Sequence, residues 1–116
     1  VHAGYPYEEI MTGLTVIARA RAKAGREKEL EQAMRAVVTP THQESGCLRY
    51  TLHRSLVDPA VFITVERWTS KESIDQHFAT LHIQALMKKI PDLLLEPPDI
   101  TLYDLLPEGE SEKARL

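Results

Sequence analysis

The pattern of hydrophobic and polar positions changes its period several times along the chain and predicts four strands and two helices. Alternation of period two, typical of strands, covers residues 14–21, 47–55, 61–69 and 100–106. Helical spacing covers residues from 26 onwards and again from about 71 to 89. The order strand-helix-strand-strand-helix-strand predicts an α+β, ferredoxin-like βαββαβ fold, with a four-stranded antiparallel sheet and both helices on one face.

The segment from residue 61 to 86 concentrates the side chains most capable of chemistry. Its first half alternates, so that Phe62, Glu66 and Trp68 share one face of a strand. After two hydroxyl residues that suit a helix N-cap, the spacing becomes helical, and His77 and Phe78 lie on or beside the apolar stripe. The pattern therefore brings an acid, an indole and an imidazole to one strand-to-helix corner.

Proline and glycine predict where several elements end. Pro40 should kink or break the first helix, because it lacks a backbone donor and crowds the preceding turn. Gly46 suits the left-handed position that often follows a helix, and Pro91 should end the second helix. The turn containing Asp58 and Pro59 should join the second and third strands as an antiparallel hairpin.

Length and composition indicate a single soluble domain. The chain has 116 residues, of which 43% are hydrophobic and 27% charged, with a net charge of −3. Acids and bases are interspersed, so neither nucleic acid nor a membrane is expected as a partner. The one cysteine, Cys47, cannot form an internal disulfide and favours a cytoplasmic location. We expect an N-terminal extension at 1–12, a domain at 13–106 and a polar tail at 107–116.

The sheet is expected to be apolar on a second face as well. The hydrophobic strand residues are too many to lie all beneath the two helices that cover Phe62 and Trp68. The residues in question are Leu14, Val16, Val61, Ile63 and Val65. In a chain of this length the cover is expected to be a second copy, so the pattern predicts a homodimer.

Two segments carry a resemblance to a known family, ESGCLRYTLHRS and FITVERWTSKESIDQHF. They resemble the antibiotic biosynthesis monooxygenase domain family, which includes small quinol monooxygenases. The family pattern is acid-x-Gly-Cys-x-x-Tyr at the second strand, Glu-x-Trp at the end of the third, and a histidine nine residues later. The matching residues are Glu44, Gly46, Cys47, Tyr50, Glu66, Trp68 and His77.

The resemblance implies a dimeric α+β barrel with a ligand cavity between sheet and helices in each subunit. It also implies oxidation of a quinol or polyketide-like aromatic by O2 without a flavin, haem or metal cofactor. Such chemistry is plausible because a deprotonated hydroquinone can itself reduce oxygen. The protein then needs an apolar cavity, a base and donors for the oxyanion.

With this resemblance, His77 becomes the candidate catalytic base, although a hydrogen-bonded core histidine would show the same pattern. Trp68 is expected either as a cavity wall or as a core residue. Glu66 shares its face, and a salt bridge to an arginine is the favoured role over a substrate contact. Tyr50 either orients a substrate hydroxyl or packs. The remaining candidates for substrate binding are Phe62, Phe78 and His42, of which His42 is expected mainly in solvent near the cavity mouth.

Metal and haem are not expected. His77 and His82 are five residues apart, about 140° around a continuous helix, so they should not share a ligand face. Haem-degrading relatives of this fold carry an Asn, a Trp and an iron-ligating His where this chain has Ala18, His77 and Met87. All three positions differ.

Two other functions stay open at this stage. One is a cofactor-free isomerase of a small dicarbonyl metabolite, because an acid/base histidine in such a cavity would serve proton transfer equally well. The other is a dimer that binds an aromatic ligand without transforming it.

Overall fold

A computed structural model describes residues 13–114, so the expected extension at 1–12 lies outside the described residues, as do residues 115 and 116. The strands are β1 (Leu14–Arg21), β2 (Cys47–Arg54), β3 (Val61–Trp68) and β4 (Asp99–Asp104). The helices are α1 (Glu27–Ala36), α2 (Val38–His42), α3 (Lys71–Phe78) and α4 (Leu81–Leu93). Residues 107–114 lie outside these elements and are almost all exposed.

The four strands form one antiparallel sheet in the order β2-β3-β1-β4. The predicted hairpin of β2 and β3 is present, and β1 lies between β3 and β4. This is the ferredoxin-like α+β arrangement, so the predicted fold is confirmed.

The hydrophobic core lies between one face of the sheet and the helices. Under α1, Leu30 and Met34 are one helical turn apart and pack against Phe62 of β3. Under α3 and α4, Ile74 and Ile83 pack in a second cluster with Trp68. Each such side chain contributes roughly 1.5–3 kcal/mol by burial, and together they fix both helix layers on the β3 side chains.

The assignment of residues to the opposite face was partly wrong. Leu14 pairs with Trp68 and Val16 with Glu66, and residues directly opposite each other in an antiparallel pair share a face. Leu14 and Val16 therefore belong to the helix face. The open face carries Val61, Ile63 and Val65 as predicted, joined by Ile17 of β1.

The predicted second helix is two helices, divided at Ala79 and Thr80. Thr80 has an extended backbone, with φ −69° and ψ 155°. Its hydroxyl accepts a hydrogen bond from the N–H of Ile83 and donates one to the carbonyl of His77 at 2.7 Å. This local competition for backbone groups ends α3 and begins α4 in a new direction. No helix among residues 13–114 is long and apolar enough to cross a membrane.

Proline affects both helical regions differently from the prediction. The first region breaks at Val37, and Pro40 lies in the first turn of α2, where its missing N–H is not needed. Pro91 does not end α4, which continues to Leu93. The N–H of Leu94 still reaches the carbonyl of Ile90 at 2.9 Å, so the last turn closes beyond the proline.

Position 46 requires a glycine because a neighbouring element leaves no room for a Cβ atom, and not because the backbone there is left-handed. The positive φ values among the described glycines belong to Gly25 and Gly109. A Cβ on Gly46 would instead collide with the Cβ and Oγ of Ser73 in the first turn of α3. The expectation of a left-handed Gly46 is therefore wrong, and the residue lets the turn before β2 pack directly against α3.

We expect Gly46→Ala to lower the free energy of unfolding by about 1–3 kcal/mol, the usual cost of overpacking. Urea denaturation measures it, with Ser45→Ala at the adjacent exposed position as the control. Because the clash is with the Ser73 side chain, Ser73→Gly should make the Gly46 substitution less costly in a double-mutant cycle. Additive losses would contradict the steric explanation.

Candidate active site

A small cavity lies between the sheet and the helices and leaves about 60 Å³ for the centres of water-sized molecules. That is room for only a few waters. Its apolar lining includes Leu30, Met34, Phe78, Leu86, Met87 and Ile100. Its polar lining includes Tyr50, Thr64, Glu66 and His77. An apolar enclosure with a few convergent polar groups is the usual form of a small-molecule site.

A wider groove of about 550 Å³ follows β2 outside this cavity. Its charged residues pair with one another, since Glu31 accepts hydrogen bonds from both Arg35 and Arg54 at 2.8 and 2.7 Å. The groove shares Tyr50 with the cavity but is not lined by the buried Glu66 or His77, so the cavity is the better candidate for chemistry.

His77 is held by a carboxylate on the side away from the cavity. Its side chain is 3% exposed, and its Nδ1 lies 2.8 Å from Oε2 of Glu44 in the turn before β2. A carboxylate accepts, so Nδ1 carries a hydrogen, and in the neutral imidazole Nε2 then keeps its lone pair. Nε2 forms no hydrogen bond with the residues of the described range, and Glu44 is not part of the cavity lining. His77 therefore lines the cavity with a ring whose Nε2 has no hydrogen-bond partner among the described residues.

His82 contacts the same oxygen atom of Glu44. Its Nε2 lies 2.8 Å from Oε2 of Glu44 and 3.3 Å from the hydroxyl of Thr80. The prediction that His77 and His82 point apart assumed one continuous helix, and the break at Thr80 makes it wrong. Two imidazoles and one carboxylate thus form a cluster whose ligand atoms all lie within 4.8 Å of one another.

Trp68 forms a buried layer behind the imidazole. It is fully buried, its ring centroid lies 4.6 Å from that of His77, and it is not among the residues that line the cavity. Its indole N–H donates to Oε1 of Glu66 at 2.8 Å. The sequence predicts either a cavity wall or a core residue, and the structure places Trp68 in the core. There it packs against His77 and donates a hydrogen bond to Glu66.

The sequence predicts a salt bridge between Glu66 and an arginine, and this prediction is wrong. Oε2 accepts a hydrogen bond from the hydroxyl of Thr64 at 2.6 Å, and Oε1 accepts one from Trp68. No lysine or arginine among residues 13–114 forms an ion pair with it. Burial raises the pKa of Glu66 above its ordinary value, although the two donors and the nearby His77 oppose the shift. The group is a cavity carboxyl that holds its proton more tightly than an exposed one.

The other predicted contacts divide between cavity and surface. Tyr50 lines the cavity, and burial, followed by the charge of Glu66, raises the pKa of its phenol, so it stays a neutral donor. Phe78 also lines the cavity, with its ring 5.3 Å from that of His77. Phe62 is buried beneath α1 and is not part of the lining. His42 is exposed, and its Nε2 donates to the backbone carbonyl of Tyr50 at 2.9 Å, outside the cavity.

Cys47 has the surroundings of an inert thiol. It is partly buried, and burial raises its pKa to about 11, with the charges of Glu44 and Glu66 adding to the effect. Reactive cysteines are those with a lowered pKa. Cys47 is therefore a packing residue and not a candidate nucleophile.

A protein-family model described as antibiotic biosynthesis monooxygenase matches residues 13–89. Among curated proteins, a relative from Mycobacterium tuberculosis named "Putative monooxygenase Rv0793" is 29% identical, over 84% of this chain and 96% of its own length. An uncharacterised protein from Synechocystis, sll1783, is 25% identical over 79% of this chain. The chain spans only 63% of the length of the Synechocystis protein.

Solved structures show the same fold. PA3566 from Pseudomonas aeruginosa has a TM-score of 0.79 and 32% identity, over 84% of this chain and 97% of that one. A crystal structure described as an antibiotic biosynthesis monooxygenase has a TM-score of 0.76 and 31% identity, over 81% of this chain and 99% of that one.

We expect Glu66→Gln to stabilise the protein at pH 8 and to have a smaller effect as the pH falls towards 5. A carboxyl whose pKa is raised by folding does not change the free energy of unfolding at a pH where it is protonated in both states. As the pH rises above the pKa of the unfolded state, near 4.5, the carboxyl increasingly lowers the free energy of unfolding. Glutamine removes that cost and can still accept from Trp68 and donate to Thr64. Urea denaturation at several pH values tests this, with exposed Glu108→Gln as the control. A less stable variant at pH 8 would exclude the assignment.

Proposed function

The chain belongs to the antibiotic biosynthesis monooxygenase family, and from this premise we propose that it oxidises a small electron-rich aromatic, of the quinol type, with molecular oxygen. The proposed enzyme is a cofactor-independent monooxygenase in which the substrate supplies the electrons. The name of the relative "Putative monooxygenase Rv0793" supports the same class of reaction.

The arrangement of His77 carries this proposal. Its Nδ1–H is fixed on Glu44 at 2.8 Å, and its Nε2 is available on the cavity side of a nearly buried ring. A carboxylate behind an imidazole fixes the tautomer and stabilises the imidazolium that forms when Nε2 accepts a proton. His77 is thus oriented as a general base for a hydroxyl group bound in the cavity.

The chemistry follows from the deprotonated substrate. When Nε2 of His77 takes the proton of a quinol hydroxyl, the anion transfers an electron to O2, and the two radicals combine at a ring carbon. The hydroperoxide then loses water, with the proton returned by an acid in the cavity. A hydroquinone and O2 give a hydroxyquinone and water, so atoms and electrons balance without a further reductant.

Glu66 is the proposed donor of the proton that leaves in water, and transfer of the proton held by His77 back to Glu66 restores both groups for the next turnover. Its carboxyl lines the same cavity, and burial raises its pKa, so it holds a proton more readily than a surface carboxyl. The hydroxyls of Tyr50 and Thr64 in the same lining are suited to orient the substrate oxygens.

The size of the cavity favours a compact substrate. About 60 Å³ for the centres of water-sized molecules accommodates a single ring far better than a fused polyketide. Leu86 and Met87 of α4 line it, and the flexible thioether of Met87, which is partly exposed, provides a side chain that can move to admit the ring. We therefore favour a one-ring quinol.

A cofactor-free isomerase is the second candidate, and one observation favours it. Two proton carriers, His77 and Glu66, line one cavity, and an isomerase needs one group to remove a proton and another to deliver it. The consumption of O2 separates the two functions, since an isomerase would convert a dicarbonyl substrate at the same rate without oxygen.

The proposed assembly is a homodimer through the open face of the sheet. Ile17, Ile63 and Val65 lie on this face and are only partly buried in the single chain. Partly covered aliphatic side chains on a central sheet face are typical of a surface that packs against another layer.

The cytoplasmic location of the protein stays a prediction. The free thiol of Cys47 is consistent with a reducing compartment such as the cytoplasm.

We expect His77→Ala to slow the oxidation of a one-ring hydroquinone by about 100-fold or more, the usual scale for the loss of a general base. Oxygen uptake measures the rate, and circular dichroism confirms folding. His53→Ala is the matched control, because His53 is exposed on β2 and its ring forms a hydrogen bond with Thr51 alone among the described residues. An unchanged rate in folded His77→Ala would remove the residue from the mechanism.

We expect Val65→Asp to convert a dimer into a monomer, because it places a charge at the centre of the proposed apolar interface. Analytical ultracentrifugation at micromolar concentration measures the change, and Glu72→Gln on the exposed side of α3 serves as the control. A wild-type protein that sediments only as a monomer would rule out the proposed assembly.

A further inference from the structure

We propose that Glu44, His77 and His82 bind a divalent transition-metal cation such as Zn²⁺, directly behind the imidazole that faces the cavity. The three residues come from three separate parts of the fold, namely the turn before β2, the end of α3 and the start of α4. Their ligand atoms nevertheless lie within 4.8 Å of one another.

The geometry directs both imidazoles to one point. Nδ1 of His77 and Nε2 of His82 each lie 2.8 Å from the same carboxylate oxygen. Ligand atoms on one metal ion at bond lengths of about 2.0–2.2 Å are themselves about 3 Å apart. The two nitrogens lie within 4.8 Å of each other, so an outward shift of the carboxylate and an inward shift of the imidazoles would convert two hydrogen bonds into three coordination bonds.

The electrostatics of the cluster favour a cation. Glu44 forms no ion pair with a lysine or arginine among residues 13–114, and its Oε1 accepts no hydrogen bond from them. The carboxylate thus has unused negative charge and a free oxygen. Its side chain is 14% exposed and that of His82 is 22% exposed, which leaves a route from solvent to the buried His77.

The ligand types select the class of metal. Two imidazole nitrogens and one carboxylate suit Zn²⁺ and its neighbours, whereas Mg²⁺ and Ca²⁺ prefer oxygen ligands alone. Glu44 and His82 do not line the cavity, so the ion would not touch a ligand bound there. Its effect would pass through His77.

Occupation of the site would change what His77 presents to the cavity. Coordination requires the lone pair of Nδ1, so the hydrogen of the neutral imidazole moves to Nε2. His82 shifts in the same way, from Nε2–H to Nδ1–H, and no net proton is released. This consequence rests on the proposed function: the metal-free site holds a base, and the metal-bound site holds a donor. The cation would therefore act as an inhibitor of the oxygenase.

Zinc binding to the folded full chain can be measured by isothermal titration calorimetry, and Co²⁺ absorption reports the ligand set. His82→Gln keeps a donor to Glu44 but removes the metal-binding nitrogen. We expect it to weaken Zn²⁺ binding at least by the roughly 10–100-fold that the loss of a merely supporting group costs. His53→Gln, at an exposed histidine elsewhere, should leave the affinity unchanged.

A second readout follows the His77 ring itself. In ¹⁵N NMR of the metal-free protein, Nδ1 should carry the hydrogen, and saturating Zn²⁺ should move it to Nε2. The proposal is overturned if wild type binds Zn²⁺ no more tightly than His82→Gln, or if the His77 tautomer does not change. Neither measurement uses turnover, so a zinc site without quinol oxidation would refute only the proposed function, and oxidation without zinc binding would refute only the site.

Discussion

One carboxylate oxygen, Oε2 of Glu44, connects the parts of the molecule on which the candidate site depends. It joins the turn before β2 to His77 at the end of α3 and to His82 at the start of α4. These histidines lie 33 and 38 positions further along the chain. A buried donor without a partner costs about 1–3 kcal/mol, so His77 can occupy its apolar surroundings only because this acceptor is there. The same contact also fixes the direction in which α4 leaves the break at Thr80.

The sheet supports this arrangement through the alternation of β3. On the helix face, Thr64, Glu66 and Trp68 are successive inward residues, and their side chains form a hydrogen-bonded row centred on the carboxyl of Glu66. On the other face, Ile63 and Val65 carry no polar groups and are left for a second layer. A shift of one residue in register would exchange the two faces, so the pairing of β1 with β3 secures both the proton carriers and the proposed interface.

The sequence predicted those features that have a short period. The alternation in β2 and β3 and the helical spacing identified the fold, and the family motif pointed to His77, Glu66 and Trp68. The sequence pattern did not predict that Glu44 is the hydrogen-bond partner of His77. Glu44 was visible as a motif residue, but its contacts span more than thirty positions, and nothing in a local pattern records them.

Other departures have local causes that periodicity cannot measure. The apolar spacing continues through Thr80 without interruption, yet the hydrogen bonds of the Thr80 side chain end α3 and begin α4. The resulting change of direction places His82 beside Glu44. The need for glycine at position 46 comes from the side chain of Ser73, a contact between elements and not a backbone requirement. A threonine within the helical pattern, with a histidine on each side, is the one signal that could have suggested the break.

The chemistry proposed for the cavity therefore depends on Glu44, a residue that does not line it. A neutral imidazole has one donor and one acceptor nitrogen, and whichever group occupies Nδ1 decides which of the two faces the cavity. With the Glu44 carboxylate at Nδ1, Nε2 is a base suited to take a proton from a quinol. With a donor or a cation there, the same ring in the same place would only donate. In the proposed function, the walls of this cavity thus limit the size and polarity of the ligand, whereas Glu44 behind them determines whether His77 acts as a base or as a donor.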